Sequence, residues 1–172
     1  MKKSYIEILK NLKEDNLTHQ SPNDRILLID GLNTFIRAFA VNPSTNEDGI
    51  HIGGMTGFLQ SIGYAIKNIK PTRVIVCFDG KGGSSKRRKL FPEYKANRKV
   101  RKRLTRLNSF NSQEDESISM KNQISRLTQY LDTLPITVLA PENIEADNAI
   151  AYISQQVYPK SQFYIMSTDK DF

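Results

Sequence analysis

The distribution of apolar residues predicts an α/β fold, a doubly wound and mainly parallel sheet with helices on both faces. Three observations lead there. Four short, nearly continuous apolar runs, Arg25 to Ile29, Arg73 to Phe78, Ile136 to Ala140 and Phe163 to Met166, are rich in Ile, Val, Leu or aromatics and read as buried strands. Helical patterns lie between them, and strand alternating with helix is the signature of a parallel sheet wound on both sides. Three of the four strands also run straight into acidic residues, as expected where strands end at a common ligand-binding edge.

Taken in order, the elements support this. Tyr5, Ile8, Leu9 and Leu12 mark an N-terminal amphipathic helix, joined to the first strand by the polar stretch from Glu14 to Asp24, so residues 1–24 read as an extension to a domain spanning 25–172. After the first strand, Phe58, Ile62, Ala65, Ile66 and Ile69 share a helical face. Asn108 to Ser119 is polar, contains Glu114, Asp115 and Glu116, and shows no periodicity, which predicts a mobile surface loop. Ile124, Leu127, Leu131 and Leu134 form the next helical face, and Ala146, Ala149, Ile150, Ile153 and Val157 form the last.

Composition narrows the function. The chain has 172 residues, 38% of them hydrophobic and 25% charged, which suits one globular domain with a substantial core. Its formal charge is +7. Twelve basic residues and one acid, Glu93, fall between Lys81 and Arg106, so an acidic body carries one intensely basic segment and the expected partner is a local polyanion. The single Cys77 excludes a disulfide framework and fits a reducing compartment. No run approaches the ~18 apolar residues of a membrane span, and charges interrupt the N-terminus where a signal peptide needs an apolar block. A cytoplasmic protein is expected.

The acidic residues at the strand ends carry the chemistry. Ile29 leads into Asp30, Phe78 into Asp79, Met166 through Ser167 and Thr168 into Asp169 and Asp171, and the remaining strand reaches Glu142, Glu145 and Asp147 within a few residues. Asp after a strand is commonly a turn former or helix cap. Recurrence at all four strands argues for more, because caps alone would admit Ser, Thr and Asn as readily. Converging carboxylates need protons or cations, and an all-oxygen set suits Mg²⁺ or Mn²⁺. Glu145 and Asp147 are two apart, so they converge only if Glu145 precedes or caps its helix, which Pro141 and Asn143 favour.

The basic segment starts beside Asp79 through Gly80, Lys81, Gly82 and Gly83, and interleaves Phe91, Pro92 and Tyr94 with Lys95 and Arg98, a mixture suited to stacking bases and holding phosphates. The glycines do not form a phosphate loop of the Walker type, since no Gly-Lys-Ser/Thr follows. His19 and His51 lie in loops with no nucleophile elbow, and Asp30-Gly31-Leu32-Asn33-Thr34 lacks the second Asp of an aspartyl phosphatase. Covalent catalysis is not expected.

Four blocks in register are more specific. Asp30-Gly31-Leu32-Asn33 with Arg37, Phe78-Asp79 followed by Arg87 and by Phe91-Pro92-Glu93-Tyr94-Lys95-Ala96-Asn97-Arg98, Glu145-Ala146-Asp147, and Ser167-Thr168-Asp169-Lys170-Asp171 together resemble the 5′ to 3′ exonuclease and flap endonuclease family, of phage or stand-alone type, from about Arg25 to Phe172. The resemblance implies a PIN-like nuclease domain that cuts branched DNA near a 5′ single-stranded end, or removes RNA primers, with two Mg²⁺ or Mn²⁺ ions. By position, Asp30, Asp79, Glu145, Asp147, Asp169 and Asp171 would be metal ligands. Lys95 and Arg98, with Arg87, would contact the scissile phosphate. A helical arch over about 92–119 would pass the 5′ strand, with Tyr94 stacking on a base and Arg37, Lys99, Arg101, Lys102, Arg103 and Arg106 binding nucleic acid.

Two departures follow. Asn148 stands where the family commonly has a second Asp after Glu-Ala-Asp, an exchange expected to weaken a metal site. The family's further acidic pair and its helix-hairpin DNA-binding module would lie beyond Phe172, so a fragment, or one part of a split nuclease working with a separate C-terminal half or with replication proteins in a bacterial or phage-infected cell, is expected. A DNA-binding remnant with little catalysis, and a PIN-type ribonuclease acting on single-stranded RNA, are the alternatives.

Overall fold

The computed structural model describes residues 21–93, 105–106 and 110–169. The expected N-terminal helix and half of the expected arch, residues 94–104 and 107–109, lie outside these residues. The described elements are β1 (Arg25–Asp30), α1 (Gly31–Val41), α2 (Gly53–Ile69), β2 (Arg73–Cys77), α3 (Ser85–Leu90), α4 (Gln113–Leu131), β3 (Thr137–Leu139), α5 (Ala146–Tyr152) and β4 (Gln162–Met166). A π-helical turn over Ile153–Val157 follows α5, where a single helix was expected.

All four strands are parallel, in the order β3-β2-β1-β4. Successive connections lead from β1 through β2 to β3, and the chain then crosses to the other side of β1. The strand order therefore reverses between β1 and β4, and the carboxyl ends of these two strands border the crevice in which open α/β sheets bind ligands.

Alternation along β1 and β2 builds two cores. Leu27, Ile29, Val74 and Val76 face Phe35 and Phe39 of α1, Phe58, Ile62 and Ala65 of α2, and Leu127 and Leu131 of α4. Ile26, Leu28, Ile75 and Cys77 face Ala146, Ala149 and Ile150 of α5 together with Ile153. Both faces of the central strands are thus sealed, as their unbroken apolar sequence predicts. At the edge strand β4 coverage is partial: Phe163, Tyr164 and Met166 pack against the two cores, while Ile165 remains 43% exposed.

Several helical faces shift from expectation. Ile66 lies off the stripe made by Phe58, Ile62 and Ala65, Leu134 falls after the end of α4, and Val157 belongs to the π-helical turn; all three are exposed. The mobile loop expected over 108–119 is corrected from Gln113 onward, where α4 begins. Ser112 caps it by accepting from the Asp115 N–H at 3.0 Å, and Glu114, Asp115 and Glu116 occupy the first turn, where the helix dipole favours negative charge. The absence of apolar periodicity misled because this turn is anchored by polar groups.

Glu116 is buried, and its carboxylate accepts from the Thr105 N–H at 2.6 Å. Two turns later Gln123 closes a buried network: its Oε1 accepts from the Met55 N–H, and its Nε2 lies 2.8 Å from the His51 carbonyl, 3.1 Å from Ser119 Oγ and 3.2 Å from His51 Nδ1. The Asn42 carbonyl, 2.8 Å from His51 Nε2, can only accept, so the ring's proton sits on Nε2 and Nδ1 accepts from Gln123. His51 also meets Phe39 and Phe110 edge to face. This histidine is a structural link between α2 and α4. Gln123→Leu strands the Met55 N–H and His51 Nδ1, and urea unfolding should show a loss of about 2–4 kcal/mol, since each buried group left unpaired costs about 1–3 kcal/mol.

Candidate active site at the carboxyl edge of the sheet

Asp30 is both the last residue of β1 and the N-cap of α1. Its Oδ1 accepts from the Asn33 N–H at 3.1 Å, and its Oδ2 accepts from Ser167 Oγ at 3.3 Å across the gap to β4. The Asn33 side chain completes that bridge, its Oδ1 accepting from the Thr168 N–H at 3.0 Å and from Thr168 Oγ1 at 2.8 Å. Ser167 Oγ in turn accepts from the Asp169 N–H at 3.1 Å, which sets the turn carrying Asp169. These contacts tie the ends of β1 and β4 together.

Asp79 follows β2 and reaches the far side of the crevice. Its Oδ1 accepts from the Ala146 N–H at 2.8 Å, so one carboxylate caps the first turn of α5 from outside the helix. Gly80 makes this approach possible: a Cβ there would lie 1.7 Å from the Pro141 carbonyl oxygen, and the Gly80 N–H donates to the Ile144 carbonyl at 3.0 Å. The turn after β3 and the turn after β2 are thereby pressed together.

Glu145 is the N-cap residue of α5 and has extended backbone, so it and Asp147 converge as their spacing requires. They converge on Arg87. Its Nη1 lies 2.6 Å from Glu145 Oε2 and 2.9 Å from Asp147 Oδ2, and its Nη2 donates to Asn148 Oδ1. Glu145 is buried and Asp147 half-buried. Asn148, read from sequence only as a missing carboxylate, serves here as the third acceptor for the guanidinium.

The fold thus brings Asp30, Asp79, Glu145, Asp147 and Asp169 to one edge, with Arg87 among them. Burial, foremost, and then the Asp79 and Asp169 carboxylates hold the Asp30 carboxyl above its ordinary 3.8, against the lowering effect of Asn33 and Ser167. Burial and the Asp30 charge push the Cys77 thiol up to about 12, so it stays protonated and inert. The donor set is all oxygen and its crowding calls for positive charge, which fits a hard divalent cation. Among the described residues no three acidic, His or Cys side chains stand close enough to hold an ion together, and Arg87 supplies the cation that Glu145 and Asp147 demand.

The remaining expected residues divide. Arg37 is exposed and lines a groove of about 720 Å³ between α1 and α2 that ends at Ser167 and Thr168. Arg106 is exposed, and its N–H donates to the Ala40 carbonyl at 2.9 Å, well along α1 from the acidic edge. Tyr94, Lys95, Arg98, Lys99, Arg101, Lys102, Arg103 and Asp171 lie outside the described residues. Asn33, Ser167 and Thr168 went unassigned in the sequence, although all three sit inside the blocks that carried the resemblance.

Residues 25–172 match the family model described as 5′-3′ exonuclease, N-terminal resolvase-like domain. A 5′-3′ exonuclease of Mycoplasmopsis pulmonis (strain UAB CTIP) is 29% identical over 154 residues, 88% of this chain and 45% of that protein. A 5′-3′ exonuclease of Bacillus subtilis (strain 168) is 37% identical over 81 residues, 44% of this chain and 27% of that protein. The chain therefore spans less than half the length of these curated relatives. The fold is similar to that of the T5 D15 protein co-crystallised with metal ions, with a TM-score of 0.61 at 19% identity over 86% of this chain and 50% of that one.

A stability test follows from Asp30. Its folded value lies above its unfolded one, so the folded chain holds the extra proton between 3.8 and the raised value, and stability falls as pH rises through that window. Asp30→Asn keeps an acceptor for the helix cap and removes the penalty. Its melting temperature should exceed the parent's at pH 7, with the difference vanishing near pH 3; an equal gain at both pH values would show that the carboxyl's charge is not the cause.

Proposed function

The chain belongs to the 5′-3′ exonuclease family through its N-terminal resolvase-like domain, and on that premise we propose that it is a divalent-metal-dependent 5′ nuclease acting on DNA with a 5′ single-stranded end or flap, and on RNA primers. The observation that carries this reading is the convergence of Asp30, Asp79, Glu145, Asp147 and Asp169 at the crevice where the strand order reverses, beside the root of a basic segment. A related T5 D15 flap endonuclease is known in a complex with DNA and metal ions, which accords with that substrate class.

In this proposal the five carboxylates, with Asp171, hold two Mg²⁺ or Mn²⁺ ions. The chemistry such ions supply when bound is activation of water and neutralisation of charge on the phosphate and the leaving 3′ oxygen. The chain's own groups do the rest. Asp79 and Gly80 set the α5 N-terminus against β2, so that Glu145 and Asp147 face the crevice. Lys95 and Arg98, with Arg87, counter charge developing on the phosphoryl oxygens. Tyr94 stacks on a base, and Lys99, Arg101, Lys102, Arg103 and Arg106 guide the 5′ strand through an arch over about 92–119, whose C-terminal foot is fixed where Glu116 holds Thr105 and Ala40 holds Arg106. Arg37 binds backbone along the α1–α2 groove. Such an enzyme works on nucleic acid in the cytoplasm during replication or repair.

Cleavage of a 5′-flap DNA and of a single-stranded RNA, each with Mg²⁺ or Mn²⁺, tests the reading. Flap cleavage is expected, reduced about 10²-fold or more by Asp79→Asn. Preference for the RNA would favour a PIN-type ribonuclease, and cleavage untouched by Asp79→Asn would remove the carboxylate site. Replacing Lys99, Arg101, Lys102, Arg103 and Arg106 with Ser should flatten the log-log salt dependence of single-strand binding by about 0.7 per lost phosphate contact. An unchanged slope would reduce the segment to a solvated face.

A further inference from the structure

We infer that Arg87 is an exchangeable counter-ion: it neutralises Glu145 and Asp147 in the unloaded protein, yields those oxygens to a divalent ion, and then turns to the phosphate, so that metal and phosphate bind cooperatively. This inference rests on the proposed metal-dependent reading and adds its regulation.

Geometry makes the exchange compulsory. The Arg87 Nη1 proton donors lie 2.6 Å from Glu145 Oε2 and 2.9 Å from Asp147 Oδ2. An ion ligated by those oxygens would meet the guanidinium at a separation where two positive charges repel strongly in a partly desolvated site. The two cations therefore occupy these carboxylates alternately. Glu145 is 3% exposed, so withdrawing the guanidinium without a replacement cation is costly.

Arg87 is also placed to leave. It sits on α3, a six-residue helix none of whose described side chains is buried, and which follows a turn containing Gly82 at φ 74°. Leu90 at its end and Phe91 just after it are 75% and 69% exposed, so these two residues add little apolar burial to hold α3 down. Among the described residues, its side-chain contacts with the body include those of Arg87 and a long 3.4 Å contact from Ser85 Oγ to Asn143 Oδ1. Releasing the guanidinium frees α3 together with the root of the basic segment. A displaced arginine carries five donors in a planar fork that suits a phosphate.

The energetic consequence is coupling. A metal ion entering alone must take the Glu145 and Asp147 oxygens from Arg87, whereas a metal ion entering with a phosphate gives the guanidinium a new anionic partner. Linkage requires the effect to be reciprocal, so each ligand strengthens the other's binding.

Calorimetric titration of Mn²⁺ into the whole chain tests this, with Arg87→Met as the variant and Arg88→Met, an exposed neighbour on the same helix, as control. Without competition, Arg87→Met should bind Mn²⁺ roughly fivefold or more tightly than the parent, while its metal-free melting temperature falls and Mn²⁺ restores it. Adding deoxyadenosine 5′-monophosphate, a phosphate with no diester to cut, should tighten Mn²⁺ binding to the parent and not to Arg87→Met. Should Arg87→Met fail to fold, Asn148→Ala removes one of the guanidinium's acceptors without touching a carboxylate and should shift Mn²⁺ affinity in the same direction by less. Equal or weaker Mn²⁺ binding in the variants overturns the exchange while leaving the metal-dependent reading standing. No Mn²⁺ binding by the parent overturns both.

Discussion

Like charges held close together at one edge of a parallel sheet form the constraint around which this domain is organised. Parallel pairing of β1 with β2 and with β4 places Asp30 opposite Cys77, and Ile29 opposite Met166, so the residues that follow all three strands emerge on one side. Nothing in the ladder relieves the repulsion among the acids that emerge there. Relief comes from donors: the Asn33 N–H and Ser167 Oγ on Asp30, the Ala146 N–H on Asp79, and the Arg87 guanidinium on Glu145 and Asp147. For Asp30 the relief is incomplete, since burial and its acidic neighbours outweigh its two hydrogen bonds. Stability is thus given up locally in an acidic crevice, as is common at functional sites.

The same donors set the shape of the crevice. Asp79 acts on α5 as a remote cap, and the close approach permitted by Gly80 fixes how far α5 stands from β2. On the opposite side, Asn33 joins α1 to the turn after β4 through two hydrogen bonds to Thr168. Each wall of the crevice is therefore made of groups that belong to different strands and hold one another, so displacing one shifts its partner.

The basic segment meets the described body at two roots. At one root, Arg87 couples α3 to the acidic cluster. At the other, the buried Glu116 carboxylate grips the Thr105 backbone and the Ala40 carbonyl grips that of Arg106, while the Gln123–His51 network fixes α4 against α2. The positively charged segment thus joins the described body at two places, beside the acidic residues through Arg87 and along α1 through Thr105 and Arg106.

Much of this was legible in the residues. The apolar runs placed all four strands to within about two residues, because a strand buried on both faces can tolerate almost no polar side chain. The acids reached at the ends of three of the four runs marked the edge, and the two-residue spacing of Glu145 and Asp147 required the late helix start that α5 shows. Other features depended on contacts distant in sequence. Polar anchoring of the first turn of α4 has no apolar signature, since Glu116 is buried by a backbone amide eleven residues away. His51 looked like a loop histidine until Gln123, seventy-two residues on, supplied its partner. The role of Asn148 as an acceptor for Arg87 bridges sixty-one residues. Local periodicity and strand-end chemistry act within a few residues and can be read from sequence, whereas the pairing of buried polar groups is decided only when tertiary packing removes water and leaves each donor to find the acceptor the fold has brought near.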